Sequence, residues 1–200
     1  MFTFKKITPW FMGLVLSILG LFSSAEAKPA DQAKKVLIVY FSHTGNTKLV
    51  AEEIKNKLDG CDVEIAQIVP KKAYPEYGDE LRNLAKEEAD DDACRPKFEV
   101  SIDGKKEIDV QKYDEIFVGT PVWWYKAPKI VISFLEKQNF SGKKVHFFIT
   151  HGGGPGACHE DMKAACKGAN FDDDPLEIYG NYPGNEKIDK EKVDQWIEKK

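Results

Sequence analysis

Short apolar runs alternate with helical patterns over most of this 200-residue sequence. Each run has the length of a strand, and most are followed by a segment whose apolar residues recur three or four positions apart. Such alternation is typical of βαβ units, in which parallel strands form one sheet with helices on both faces. The five predicted strands are residues 36–41, 63–68, 115–119, 145–150 and 176–179.

The predicted helices connect these strands and follow the last of them. In the first helix, Val50, Ile54 and Leu58 are four positions apart and would form one apolar face. Five parallel strands connected in this way favour a doubly wound α/β sheet with strand order 2-1-3-4-5. Residues 70–112 do not fit this alternation, and we predict a charged helix at 77–89, then an irregular excursion with a turn at 103–104. The other predicted helices are residues 47–58, 128–137, 157–167 and 189–198.

The first 27 residues are predicted to be a signal peptide. Lys5 and Lys6 precede an apolar stretch at residues 10–22, and the sequence AEA ending at Ala27 matches a small-x-small cleavage site. A membrane-spanning helix needs about 20 apolar residues, so cleavage after Ala27 fits better than the alternative, an uncleaved anchor in the inner membrane. We therefore expect an exported protein, periplasmic or secreted, with residues 28–200 forming one domain.

Net charge and cysteine content limit which partners and which disulfides can be expected. The formal charge of the whole chain is −4, and removing the signal would make it −5, because two lysines and one glutamate are lost. Without a basic block, nucleic acid is not expected as a partner. The even number of cysteines is compatible with two disulfides in an exported protein, and free buried thiols are the alternative. The cysteines are Cys61, Cys94, Cys158 and Cys166.

The loop after the first strand has the composition of a phosphate site. In doubly wound sheets, ligands bind beyond the carboxyl ends of the strands, where the strand order reverses. Here a helix would begin with free N–H groups, hydroxyls could add donors, and Gly45 would let the backbone approach closely. The alternative is an ordinary capped turn between a strand and a helix. The candidate residues are Ser42, His43, Thr44, Gly45, Asn46 and Thr47.

The loops after the third and fourth strands would lie at the same edge. The first of them is aromatic, and we expect one of its rings to pack inward and another to stack on a flat ligand. The second has three consecutive glycines, so a ligand could lie against bare backbone; a flexible turn is the alternative. The candidate residues are Pro121, Val122, Trp123, Trp124 and Tyr125, followed by Thr150, His151, Gly152, Gly153 and Gly154.

Other ligand motifs are excluded or weak. The third loop matches G-x-G-x-x-A, but Pro155 removes a donor near the helix start and only one strand follows, so a dinucleotide domain does not fit. There is no P-loop sequence. No metal site is predicted, because His43, His151, Cys158 and His159 do not form a known ligand spacing.

A phosphate corner, an aromatic wall and a bare-backbone wall together describe a site for flavin mononucleotide (FMN). The chain resembles the flavodoxin family, in its longer bacterial group with a Trp-Trp pair in the middle loop. Ser42, Thr44, Gly45 and Thr47 match the phosphate signature [ST]-x-T-G-x-T. The resemblance covers about residues 34–199 and implies a flavodoxin-like fold and FMN as the cofactor. It also implies that the first loop binds the phosphate and that the other two loops flank the isoalloxazine ring.

Three functions are compatible with these features. The first is an electron carrier that exchanges electrons with a redox partner protein or a small acceptor such as a quinone. The second is an FMN-dependent quinone or NAD(P)H-linked oxidoreductase of the same fold, in which His151 or Tyr125 could donate a proton. The third is a flavodoxin-fold binding module without catalysis. No catalytic side chain is predicted, and we expect a monomer or homodimer without membrane insertion after signal cleavage.

Overall fold

The computed structural model of this chain describes residues 33–102, 107–181, 183–184 and 187–200. The predicted signal peptide and the predicted turn at 103–104 lie outside these residues. Within them, no helix is both long enough and apolar enough to cross a bilayer.

Strands and helices alternate along the chain, as the apolar pattern predicts. A short 3₁₀ turn, Val110–Lys112, precedes the fourth strand. The strands are β1 (Lys35–Tyr40), β2 (Asp62–Pro70), β3 (Phe98–Ser101), β4 (Glu115–Pro121), β5 (Lys144–His151), β6 (Asn170–Phe171) and β7 (Leu176–Tyr179). The helices are α1 (Asn46–Lys57), α2 (Asp79–Asp90), α3 (Lys129–Lys137), α4 (Cys158–Ala165) and α5 (Lys190–Ile197).

The sheet has the predicted order with two additional strands. The five predicted strands correspond to β2-β1-β4-β5-β7, all parallel, which confirms the order 2-1-3-4-5. The additional strands are β6, a two-residue strand beside β5, and β3, which runs antiparallel to β2 at the opposite edge. The prediction of an irregular excursion after α2 is therefore wrong for the residues of β3, because these residues form a strand. With only four residues, and with Val100 alone fully buried, β3 is too short to show a strand period.

Both faces of the sheet are buried, which explains the unbroken apolar sequence of β1. Leu37 and Val39 contribute to the core that includes α3 and α4 residues, whereas Val36 and Ile38 contribute to the core that includes α1 and α5 residues. Central strands covered on both faces have continuous rather than alternating apolar sequences. This arrangement leaves the two ends of the strands as the places where loops and polar groups gather.

A buried ion-pair network lies at the amino ends of the strands. His146 is fully buried, with Nε2 at 2.6 Å from Glu115 Oε1 and Nδ1 at 2.6 Å from Asp172 Oδ2. Lys34 and Lys144 also form ion pairs with the Glu115 carboxylate. Burial alone would raise the pKa of Glu115, but hydrogen bonds from these three partners outweigh it and hold the pKa well below its usual range.

The four cysteines are free thiols, so neither of the two disulfides that an even count permits is formed. Cys158 and Cys166 are buried in and next to α4, and burial raises the pKa of both thiols. A raised pKa keeps a thiol protonated and therefore poorly nucleophilic. We assign these two residues to the core.

Candidate functional site

A cleft of about 600 Å³ opens at the carboxyl ends of the parallel strands. The loops after β1, β4 and β5 all reach it, as the position rule for doubly wound sheets predicts. Most of the predicted site residues line this cleft. They are His43, Thr44, Asn46, Pro121, Val122, Trp123, Trp124, Tyr125, Thr150, His151, Gly152, Gly153 and Gly154.

Three predicted residues, Ser42, Gly45 and Thr47, are not among the residues that line the cleft, and each makes a contact within the protein. Gly45 has a φ of 96°, a left-handed conformation that favours glycine, and its N–H donates to Ser42 Oγ at 3.1 Å. Thr47 is buried, and its Oγ1 lies 2.8 Å from Thr150 Oγ1. The Gly45 contact lies within the first loop, whereas the Thr47 contact joins the start of α1 to the end of β5. Direct contact of the three residues with a ligand stays a prediction.

Replacing Thr47 with valine is expected to lower the free energy of unfolding by about 1–2 kcal/mol, because Thr150 would keep a buried hydroxyl without its partner. Urea unfolding of the ligand-free protein measures this change. Lys48→Gln is the control, since Lys48 is exposed on the same helical turn and should change stability by less than about 0.5 kcal/mol. Equal stability of the two variants would show that the hydroxyl pair contributes nothing.

The N-terminus of α1 forms a corner of the cleft that is rich in hydrogen-bond donors. The first intrahelical bond runs from Leu49 N to Gly45 O at 3.0 Å, so the N–H groups of the preceding three residues have no intrahelical acceptor. The Asn46 side chain joins this corner to the loop after β7, because its Nδ2 donates to Asn181 O and its Oδ1 accepts from Asn181 N. Free N–H groups at the positive end of a helix dipole bind anions.

The aromatic loop after β4 is built on a strained two-residue turn. Trp123 and Lys126 exchange two backbone hydrogen bonds of 3.0 Å, and the residues between them, Trp124 and Tyr125, have φ values of 49° and 61°. A positive φ costs a bulky residue of the order of 1–3 kcal/mol, so surrounding contacts must hold the turn. One such contact is the 2.7 Å hydrogen bond from Ala157 N to Tyr125 O.

The three aromatic side chains of this turn have different surroundings. Trp123 packs inward, with its ring edge-on to Tyr74 at a centroid distance of 4.9 Å. Trp124 is 45% exposed and is held to α2, where its Nε1 donates to Arg82 O at 2.7 Å. Tyr125 is 70% exposed. Trp124 and Tyr125 are therefore the most exposed rings of this turn.

The glycine-rich loop after β5 leaves open space beside the cleft. A Cβ atom added to Gly152, Gly153 or Gly154 would meet no atom within 4 Å. Bare backbone with open space in front of it gives a flat ligand room to lie against peptide groups.

Two histidines of the cleft have lowered pKa values. Burial lowers the pKa of His43, more strongly than a backbone hydrogen bond to Pro75 raises it. Burial also lowers the pKa of His151, assisted by Lys192 and opposed by Glu177. Both shifts favour the neutral imidazole at pH 7.

Comparison with known families identifies this arrangement. Residues 35–200 match the model of the family described as flavodoxin. The chain belongs to the flavodoxin family. This confirms the predicted family and, with it, FMN as the predicted cofactor.

Solved structures show the same fold. A protein assigned as a flavoprotein from Bacteroides uniformis is 28% identical, with a TM-score of 0.66 over 84% of this chain and 99% of that one. A second, from Bacteroides eggerthii, is 28% identical, with a TM-score of 0.61 over 82% and 96% of the two chains. A flavoprotein from Lactobacillus acidophilus, solved in complex with FMN, is 23% identical, with a TM-score of 0.60 over 82% and 99%. No curated protein sequence matches this chain.

The chemistry of the cleft fits FMN. The α1 corner offers free N–H donors and a hydroxyl from Thr44 for a phosphate dianion. Trp124 and Tyr125 offer exposed rings, and the three glycines that line the same cleft add no side chains that would obstruct a flat ring system. In the part of the chain that the structure describes, no group of three or more His, Cys, Asp or Glu side chains is arranged so that it could hold a metal ion.

Sequence reasoning missed two parts of the cleft wall. Helix α2 and the turn before it contribute four residues, and the apolar spacing of α2 predicts a buried stripe but does not say what that stripe faces. The end of β7 and the loop after it contribute four more, and this part of the wall could have been predicted, because β7 is also a parallel strand that ends at this edge. The missed residues are Tyr77, Leu81, Arg82 and Ala85 on or next to α2, and Tyr179, Gly180, Asn181 and Pro183 at the end of β7 and after it.

Proposed function

We propose that this protein binds FMN in the cleft and transfers electrons through it. One observation carries the proposal: the donor-rich end of α1 and the exposed rings of Trp124 and Tyr125 line the same cleft. A phosphate and a flat heterocycle on one ligand would satisfy both. The FMN complex of the Lactobacillus acidophilus flavoprotein, which shares the fold, supports this assignment.

The cofactor supplies the redox chemistry, and the protein binds and orients it. In this proposal, Thr44 and the free backbone N–H groups at the start of α1 would hold the phosphate. Trp124 or Tyr125 covers one face of the ring. The backbone of residues 152–154 would offer N–H and C=O groups to polar atoms of the ring.

The rim of the cleft favours contact with an electron donor or acceptor. Among the described residues, the large hydrophobic side chains that are exposed are Val69 and four aromatic residues that line the cleft: Tyr77, Trp124, Tyr125 and Tyr179. Clustered exposed apolar groups mark interaction sites more often than scattered ones do. We propose that a redox partner protein or a small acceptor such as a quinone meets the flavin here.

Comparing FMN with riboflavin tests the cofactor assignment. FMN is expected to bind at least 100-fold more tightly, because riboflavin lacks the phosphate and at least two charge-assisted hydrogen bonds of about 1.5 kcal/mol each. Titration of the ligand-free protein, followed by quenching of flavin fluorescence, gives both dissociation constants. Equal affinities, or no binding of either flavin, would contradict the proposal.

Two reactions separate a carrier from an oxidoreductase. The FMN-loaded protein is photoreduced without oxygen and then mixed with a naphthoquinone, and NADPH oxidation is measured separately in the presence of the same quinone. Slow NADPH oxidation with reversible photoreduction supports a carrier. Rapid, saturable NADPH oxidation supports the second candidate, an FMN-dependent oxidoreductase, which the open aromatic rim favours.

We also propose that the protein functions after export, on the basis of its N-terminal sequence pattern. Mass spectrometry of the protein from the cells that make it should then give a chain that begins at Lys28. A chain that retains its first residues would instead support a membrane anchor.

A further inference from the structure

His151 stands at the junction of three parts of the cleft. It is the last residue of β5, it lines the cleft, and it precedes the three glycines. Its carbonyl accepts from Gly180 N at 2.9 Å, while the preceding carbonyl, of Thr150, accepts from Val122 N at 2.9 Å. These two hydrogen bonds connect the end of β5 to the loop after β7 and to the loop after β4.

The two ring nitrogens of His151 are in different environments. Nδ1 is buried and has no hydrogen-bond partner in the part of the chain that the structure describes. Nε2 is not among the buried atoms that lack a hydrogen-bond partner. Since the residue lines the cleft, Nε2 is the nitrogen through which the ring can meet a ligand there.

This difference determines which nitrogen carries the proton. A neutral imidazole has one N–H and one bare nitrogen, whereas the charged form has an N–H at both positions. A buried N–H without an acceptor costs about 1–3 kcal/mol, and such groups are rare in proteins. The proton of the neutral ring therefore belongs on Nε2, and the charged form is disfavoured because it needs an N–H at Nδ1.

The groups around the ring agree with a neutral state. Tyr179 on β7 lies edge-on to it at a centroid distance of 6.0 Å and carries no charge. Glu177, also on β7, favours the charged ring, but burial and Lys192 on α5 oppose it more strongly. The net effect lowers the pKa of His151.

We propose that His151 is a neutral hydrogen-bond donor to the flavin ring, acting through Nε2–H. It would position the ring by one directional bond, and it would contribute neither a positive charge nor a proton when the flavin is reduced. This inference rests on the proposed FMN site and assigns a role to one residue of that site.

Nitrogen NMR of the protein without FMN tests the tautomer directly. Long-range ¹⁵N–¹H spectra at pH 7.5 should show a protonated Nε2 and a bare Nδ1 for His151, with a titration midpoint below the usual value of about 6.5. His159 is an internal control, because its Nε2 is the buried nitrogen without a partner and the same reasoning places its proton on Nδ1. A proton on Nδ1 of His151, or a midpoint above about 6.5, would overturn the inference.

FMN titration of three variants tests the hydrogen bond. His151→Phe keeps a flat ring without a donor and should weaken FMN binding about tenfold. His151→Gln places an amide N–H near the position of Nε2 and should recover most of that loss. His159→Gln should bind FMN as the unmodified protein does, because His159 does not line the cleft.

The pH dependence of the reduction potential tests whether His151 exchanges a proton when the flavin is reduced. Between pH 6.5 and 8, the pH dependence of the potential should be the same for the unmodified protein and for His151→Gln. A slope that disappears in the glutamine variant would show proton exchange at His151 and overturn the inference. If the unmodified protein does not bind FMN, the proposed function fails, whereas the NMR result still decides the tautomer.

Discussion

Replacing Glu115 with glutamine is expected to lower the free energy of unfolding by about 3 kcal/mol at pH 7, because it removes one charge from a buried ion-pair network. The Glu115 side chain is 2% exposed, forms ion pairs with Lys34 and Lys144 and is hydrogen-bonded to His146. A glutamine retains the size but not the charge, so the buried His146 would lose one of its two carboxylate partners. Urea unfolding of the two proteins measures the difference.

The pH dependence identifies the carboxylate as the cause. The pKa of Glu115 in the folded protein lies below its value of about 4.3 in an unfolded chain, so its contribution to stability is complete above about pH 5. That contribution decreases as the pH falls below about 4, since protons then bind the unfolded chain preferentially. The difference between the two proteins should therefore be largest at pH 7 and shrink in acid.

Glu52→Gln is the matched control for this experiment. The Glu52 side chain is 48% exposed, and its Oε1 lies 3.7 Å from Lys48 Nζ. The two residues therefore form an exposed ion pair on one face of α1. Such pairs contribute about 0–1 kcal/mol, so this variant should unfold nearly as the unmodified protein does. If Glu115→Gln also changed stability by less than about 0.5 kcal/mol, the buried network would not stabilise the fold.

Replacing Gly156 with alanine is expected to lower the free energy of unfolding by about 3 kcal/mol and to weaken FMN binding at least tenfold. Gly156 has a φ of 59°, which costs alanine about 1–2 kcal/mol. A Cβ at this position would also lie 2.1 Å from Tyr125 O and 2.6 Å from Tyr125 C. Because these are backbone atoms, the strained turn that presents Trp124 and Tyr125 would have to move.

Gly142→Ala separates the cost of the positive φ from the cost of the clash with the Tyr125 backbone. Gly142 has a φ of 74°, but a Cβ there would meet no atom within 4 Å, and the residue lies in the turn before β5, away from the cleft. This control should lose about 1–2 kcal/mol and bind FMN with unchanged affinity. Urea unfolding and FMN titration are measured on both variants. Equal FMN affinities in the two would mean that the close approach of residue 156 does not shape the site.

These two experiments examine opposite ends of the same sheet. The ion-pair network lies at the amino ends of the strands and the cleft at their carboxyl ends, so the Glu115 variant should retain its affinity for FMN under conditions where it is folded. The Gly156 variant should lose both stability and affinity. This contrast separates a requirement of the fold from a requirement of the binding site.

Much of the fold and of the cleft could be predicted because the signals are local. The run VLIVY is apolar throughout because β1 is buried on both faces, and the strand order follows from the way helices connect parallel strands. The three predicted loops meet because the carboxyl ends of parallel strands share one edge. A four-residue antiparallel strand at the other edge has no comparable signal, and β3 was missed for that reason.

The roles of individual site residues were less predictable. Thr47 has a hydroxyl that could bind a phosphate, but this hydroxyl forms a buried pair with that of Thr150, which is 103 positions away. The sequence predicts that one ring of the aromatic loop packs inward, but only the contact between Trp123 and Tyr74 shows which one.

The sequence by itself determined the order of the sheet, the edge at which a ligand binds and the resemblance to flavodoxins, because hydrophobic period and loop composition depend on neighbours along the chain. Only the tertiary structure decided which residues line the cleft and how they contact one another. Trp124 bonds to Arg82, 42 positions away, and Asn46 bonds to Asn181, 135 positions away. Such contacts form only when packed elements bring distant residues together, and they decide which side chains remain free to meet a ligand.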